Sequence, residues 1–87
     1  MKNDKFLLTF EHTKHPEEMR IHTDLNGLEN LIDELTKLFN SAKTGKSDHT
    51  HLMTEEWGGY ELSSDSQGGA IINHVKVYCW NENRIVE

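Results

Sequence analysis

Histidines, carboxylate pairs and a single thiol are the groups in this chain whose types and spacing bear on chemistry. His49 and His51, two apart, place both imidazoles on one side of an extended strand. With His74 or His22 as a third nitrogen donor and water in the fourth position, such a set would make an open zinc site. No spacing fixes that third ligand, and no partner is evident to orient the rings. The histidine set His49, His51 and His74 therefore stands as a metal- or ligand-binding alternative, and no cofactor is expected. Glu17-Glu18 and Glu55-Glu56 are adjacent carboxylates, which point apart on a helix or strand and do not form an acid/base pair by spacing alone. Ser63, Ser64 and Ser66 lack the strand-turn-helix context of an activated serine, and Gly68-Gly69 lacks the lysine of a phosphate loop. Cys79 lies in an alternating apolar segment that suits an inert, buried thiol. No catalytic set assembles, and enzymatic activity is the least expected function.

Trp57-Gly58-Gly59-Tyr60 carries the other strong signal, together with Tyr78 and Trp80. Glycines beside a tryptophan indicate a sharp turn or a close backbone approach. Large amphipathic rings near such a turn serve as core anchors or as binding anchors. The candidate partner-binding residues are Trp57, Tyr60, Tyr78 and Trp80, with Glu55, Glu56 and Asp65 as charges that steer a partner.

The elements that must position these groups are few. Phe6, Leu8 and Phe10 alternate along a first strand, His12 to Glu17 contains the only proline and reads as a turn, and Met19, Ile21 and Thr23 alternate along a second strand. Asn26 with Glu29 three residues later suits a helix start. Leu28, Leu31, Ile32, Leu35, Leu38, Phe39 and Ala42 follow at helical spacing, and Gly45 is a natural stop. This apolar stripe is expected to cover a sheet, with coiled-coil pairing as the lesser alternative. Asp48–Thr54 alternates as a third strand, Tyr60–Leu62 forms a short fourth, 63–69 is a mobile polar loop, and Ala70–Trp80 is the longest strand. Ile85 and Val86 are candidates to cover a sheet edge. The fold class is α+β: one amphipathic helix on one face of a small, mostly antiparallel sheet, in the rough order β-β-α-β-β-β.

A helix on one face leaves the other face open. If Val75, Val77 and Cys79 face the helix, then His74, Lys76, Tyr78 and Trp80 face outward, and Arg20 and His22 join them by the same logic. His49, His51 and Met53 do so only if Leu52 points inward, a register that the alternation leaves open.

The totals narrow the function. A chain of 87 residues is expected to form a single domain, 1–87, with a small core. Nine basic residues against fifteen acidic ones, a net charge of −6, weigh against binding nucleic acid, where affinity rests on neutralising phosphates. The same charge suits a basic partner drawn in by long-range attraction. No apolar run is long enough to span a bilayer, and the N-terminus lacks the apolar core of a signal peptide, so a cytoplasmic location without membrane contact is expected.

HTHLMTEEWGGYEL at 49–62, followed by IINHVKVYCW at 71–80, resembles the bacterial immunity protein 32 family over about the C-terminal half of the chain. The matching positions are His51, Leu52, Met53, Trp57, Gly58, Gly59, Leu62, Asn73, His74, Tyr78 and Trp80. The resemblance implies a cytoplasmic antidote that binds and neutralises a cognate toxin of a polymorphic toxin system, without catalysis. A histidine-based metal- or ligand-binding domain, or a homodimeric structural or regulatory domain joined through a free edge strand, is the alternative. The chain is expected to be a monomer or a homodimer.

Overall fold

In a computed structural model of the chain, residues 5–80 are described. Strands β1 (Leu8–His12) and β2 (Met19–Thr23) form an antiparallel hairpin in which Leu8 faces Thr23 and His12 faces Met19. Helix α1 (Leu25–Ala42) follows at once, then strand β3 (Asp48–Met53), a single 3-10 turn at Glu55–Trp57, and strands β4 (Ala70–Ile71) and β5 (His74–Cys79). Every pairing is antiparallel, and the element order is β-β-α-β-β-β. The expected α+β class holds, with the strands divided into two ladders, β2-β1-β4 and β3-β5.

That division changes one strand. Ala70–Trp80 is not continuous: β4 pairs with β1, whereas β5 pairs with β3. Ile72 and Asn73 make the crossing between ladders. The Ile72 amide donates to the Phe10 carbonyl at 2.8 Å, and the Asn73 carbonyl accepts from the Thr54 amide at 3.0 Å. Tyr60–Leu62, expected as a strand, is a bend whose Leu62 amide donates to the Met53 carbonyl at 3.1 Å. Successive amides here go to different strands, Leu62 to Met53 of β3 and Ser63 to the Leu8 carbonyl of β1 at 2.9 Å, so no ladder with one partner forms.

The core is Leu8, Phe10, Leu52 and Leu62, with Phe6, Leu31, Ile72, Val75 and Val77 packed around it. Both ladders thus contribute one face to a shared apolar interior, which the helix helps to close.

The helix departs from expectation at both its cap and its face. Asp24, not Asn26, is the N-cap, and its Oδ1 accepts from the Gly27 amide at 2.7 Å. Asn26 lies inside the first turn and donates from Nδ2 to the Lys5 carbonyl at 3.3 Å. Gly27 is buried because a Cβ there would stand 1.7 Å from the Leu7 carbonyl oxygen. From Gly27 the buried line continues through Asn30 and Leu38. The rest of the stripe was expected to be core, yet Leu28, Ile32, Leu35 and Phe39 are 39–61% exposed. The sheets are too narrow to cover more than one side of the helix. Downstream, the helix ends at Ala42 and Gly45 adopts φ 102°, the left-handed stop expected there.

Candidate functional site

Leu52 is fully buried, which settles the register of β3. Thr50 and Leu52, paired with Val77 and Val75, face the interior. His49, His51 and Met53, paired with Tyr78, Lys76 and His74, therefore share the opposite face. Trp80 continues the Tyr78 side, and Trp57 reaches this face from the 3-10 turn.

Six rings form a continuous row across the face. Trp57 lies 5.9 Å from His74, His74 stacks on His51 at 5.1 Å, and His51 meets His49 edge-on at 4.8 Å. His49 stacks on Tyr78 at 5.2 Å, and Tyr78 stacks on Trp80 at 5.3 Å with the planes only 6° apart. Lys76 places its Nζ 5.6 Å from the centre of the Tyr78 ring. Trp57 is 57% exposed, Tyr78 46% and Trp80 40%. The indoles and phenol are thus not sealed in the monomer. Tyr60 is more exposed still, on the bend that follows the glycines.

The histidines make a hydrogen-bonded chain. His49 Nε2 is 3.1 Å from His51 Nε2, and His51 Nδ1 is 2.9 Å from His74 Nε2. The two nitrogens of one imidazole point away from each other, so His51 cannot direct both at one ion. Accordingly, no group of three or more histidine, cysteine, aspartate or glutamate side chains is placed to hold a metal among the described residues. Burial of His51, reinforced by neighbouring His49, His74 and Lys76, pushes its pKa below the ordinary histidine value.

Gly58 and Gly59 solve two different problems. Gly58 has φ 89° and closes the 3-10 turn through its amide, which donates to the Glu55 carbonyl at 2.9 Å. Gly59 needs space instead, since a Cβ there would stand 2.6 Å from Met53 Cβ and 2.7 Å from the Met53 carbonyl oxygen. Thr54 ties the turn to the strand crossing. Its hydroxyl donates to Asn73 Oδ1 at 2.7 Å, and its carbonyl accepts from the Trp57 and Gly59 amides at 3.0 Å each. Glu61 Oε1 accepts from the Met53 amide at 3.1 Å. Periodicity does not mark Thr54 or Glu61, because their partners are turn amides, the last amide of β3 and a residue 19 positions away.

The other expected site residues are dispersed. Glu55 and Glu56 are exposed in the 3-10 turn beside Trp57. Arg20 and His22 are not on this face: they belong to β2, paired with Glu11 and Thr9 of the other ladder. Asp65 is in the polar loop, which is tied down on that same ladder. The Gln67 amide donates to Glu11 Oε2 at 2.9 Å and the Gly69 amide to Glu11 Oε1 at 2.8 Å. Thr9 adds its hydroxyl to Glu11 Oε2 at 2.6 Å. Glu11, 1% exposed, is thus a buried carboxylate that organises the loop, and strand alternation alone assigns it to solvent. Cys79 is half-buried on the interior side of β5, opposite Asp48.

Among the described residues no helix is long and apolar enough to cross a membrane. No curated protein and no solved structure matches the chain. The family model described as immunity protein 32 matches residues 18–75. It takes in β2 and α1 as well as the Trp57-Gly58-Gly59 turn, and so reaches further toward the N-terminus than the C-terminal half that carried the resemblance. With two thirds of its length matched, the chain belongs to the immunity protein 32 family.

Proposed function

We propose that this single-domain chain is a cytoplasmic immunity protein that binds a cognate bacterial toxin and neutralises it by non-catalytic contact. The row of exposed rings on the β3–β5 face, Trp57 through Trp80, carries this reading. Exposed tryptophan and tyrosine held by stacking have little rotamer freedom left to lose, which makes them efficient interface anchors. Trp57, Tyr60, Tyr78 and Trp80 are the anchors. Glu55, Glu56 and Asp65, within a net charge of −6, draw in a basic toxin surface. Residues of the shared motif then divide by role. Leu52, Gly58, Gly59, Leu62 and Asn73 maintain the turn and core, whereas Trp57 grips the partner together with Tyr78 and Trp80, which lie beyond the matched residues 18–75.

Co-expression with any toxin found encoded in a neighbouring reading frame tests the function directly, because the chain should restore growth. Trp80→Ala and Tyr78→Ala should each weaken binding by about 2 kcal/mol or more, roughly 30-fold in Kd, with the fold intact. Full protection by the double variant would remove this face from the mechanism. An association rate indifferent to salt would remove the steering role of the acidic residues.

A further inference from the structure

The side of α1 left uncovered by the sheets has a regular pattern. Leu25, Leu28, Ile32, Leu35 and Phe39 follow one another at spacings of 3, 4, 3 and 4, and all five are 39–85% exposed. Half-buried Ala42 extends the same series by one step. The exposed part of the stripe thus has the heptad spacing of a helix pairing seam, while Leu31 and Leu38 beside it face the sheets. It carries no charged residue, whereas Glu29, Asp33 and Lys37 lie off it.

We infer that this seam joins two copies of the chain through an antiparallel helix pair. A two-fold axis between residues 33 and 34 sets Ile32 against Leu35 of the second copy, Leu28 against Phe39, and Leu25 against Ala42. Every seam position then meets an apolar residue, so the surface is complementary to itself. The five exposed side chains offer roughly 500 Å² per copy, or about 1,000 Å² for the pair, which meets the lower threshold of a biological interface before flanking residues are counted and suits a weak dimer. The antiparallel arrangement also sets the helix dipoles in opposition. The β3–β5 face uses none of these residues, so the inference stands independently of toxin binding.

Analytical ultracentrifugation of the full chain, from micromolar to millimolar concentration, should reveal a species of twice 10.1 kDa. Ile32→Glu and Leu35→Glu should shift it to monomer with helical circular dichroism unchanged, and the neutral Ile32→Gln should do so more weakly. Leu28→Lys and Phe39→Glu should each weaken the dimer, whereas the double variant should recover it, since the two positions face each other only in the antiparallel pair. A monomer throughout the range would overturn the inference, as would a dimer that survives both glutamate variants. Failure of the double variant to recover would overturn the antiparallel register. A monomeric wild type whose Ile32→Glu variant no longer protects against toxin would assign the seam to the toxin instead.

Discussion

His51 and His74, 23 residues apart in sequence, meet across the β3–β5 ladder with Nδ1 and Nε2 2.9 Å apart. His51 also faces His49 Nε2 through its other nitrogen. A neutral imidazole has one donor and one acceptor, so it can serve both neighbours without charge, whereas a protonated ring places a positive charge among two imidazoles and Lys76. Burial and those neighbours hold the His51 pKa below its ordinary value. In the window between the ordinary value of about 6.5 and the lowered one, the unfolded chain takes up a proton that the folded chain refuses. Stability contributed by neutral His51 is therefore present above about pH 6.5 and declines as the pH falls through that window. Titration of the imidazole resonances by NMR should place the His51 midpoint below 6.5. A midpoint at or above that value would show that the ring is not held neutral.

Gly58→Ala and Gly59→Ala should separate conformational from steric demand. Alanine at 58 must adopt φ 89° but meets nothing within 4 Å, so it should cost about 1 kcal/mol. Alanine at 59 collides with Met53, including its backbone carbonyl, and the strand cannot yield as a side chain would. A cost of about 1–3 kcal/mol, larger than at 58, is expected from urea denaturation midpoints. The reverse order would mean that the Met53 backbone adjusts freely.

Thr54→Val keeps the shape of a fully buried residue but deletes the hydroxyl that donates to Asn73 Oδ1. The loss should be about 1–2 kcal/mol, because the amide oxygen of Asn73 is left without this donor. The amide of Trp57 should also exchange faster with solvent, since its acceptor is the Thr54 carbonyl. Unchanged exchange would disconnect the strand crossing from the turn that presents the indole.

Much of this architecture was legible from periodicity. Leu8 and Phe10 alternate inward as expected, and Leu52 points inward as the open-face reading required. What periodicity cannot supply is coverage. It identified the apolar residues of α1 without separating Leu38, which is buried, from Ile32 and Phe39, which are not. Alternation ran through Ile71, Ile72 and Asn73 without marking the point where the chain changes ladders. Asp24 and Asn26 are equally good capping residues by type, and only the amide of Gly27 chose between them. Among the candidate site residues, the rings of Trp57, Tyr78 and Trp80 were joined by the histidines into one row, whereas Asp65 was assigned with no knowledge of the carboxylate that ties down its loop.

That carboxylate gives the last prediction. Glu11 accepts hydrogen bonds from Thr9, Gln67 and Gly69, and the Thr9 hydroxyl bond is the largest cause of its lowered pKa, ahead of the two loop amides. A carboxylate whose pKa is lowered by folding adds stability above its unfolded value, and that stability is lost as the pH falls through the folded value. The loop should therefore loosen only below about pH 4.3, the ordinary glutamate value, a window well separated from that of His51. Glu11→Gln removes the charge and turns one acceptor into a donor that faces hydroxyl and amide donors. The midpoint of thermal unfolding should fall by several degrees, and the Gln67 and Gly69 amides should lose protection against hydrogen exchange. The β3–β5 ladder is built from other residues, so its amides should lose less protection than the loop amides do in Glu11→Gln. A uniform loss across both ladders would show that Glu11 supports the whole fold and not the loop alone.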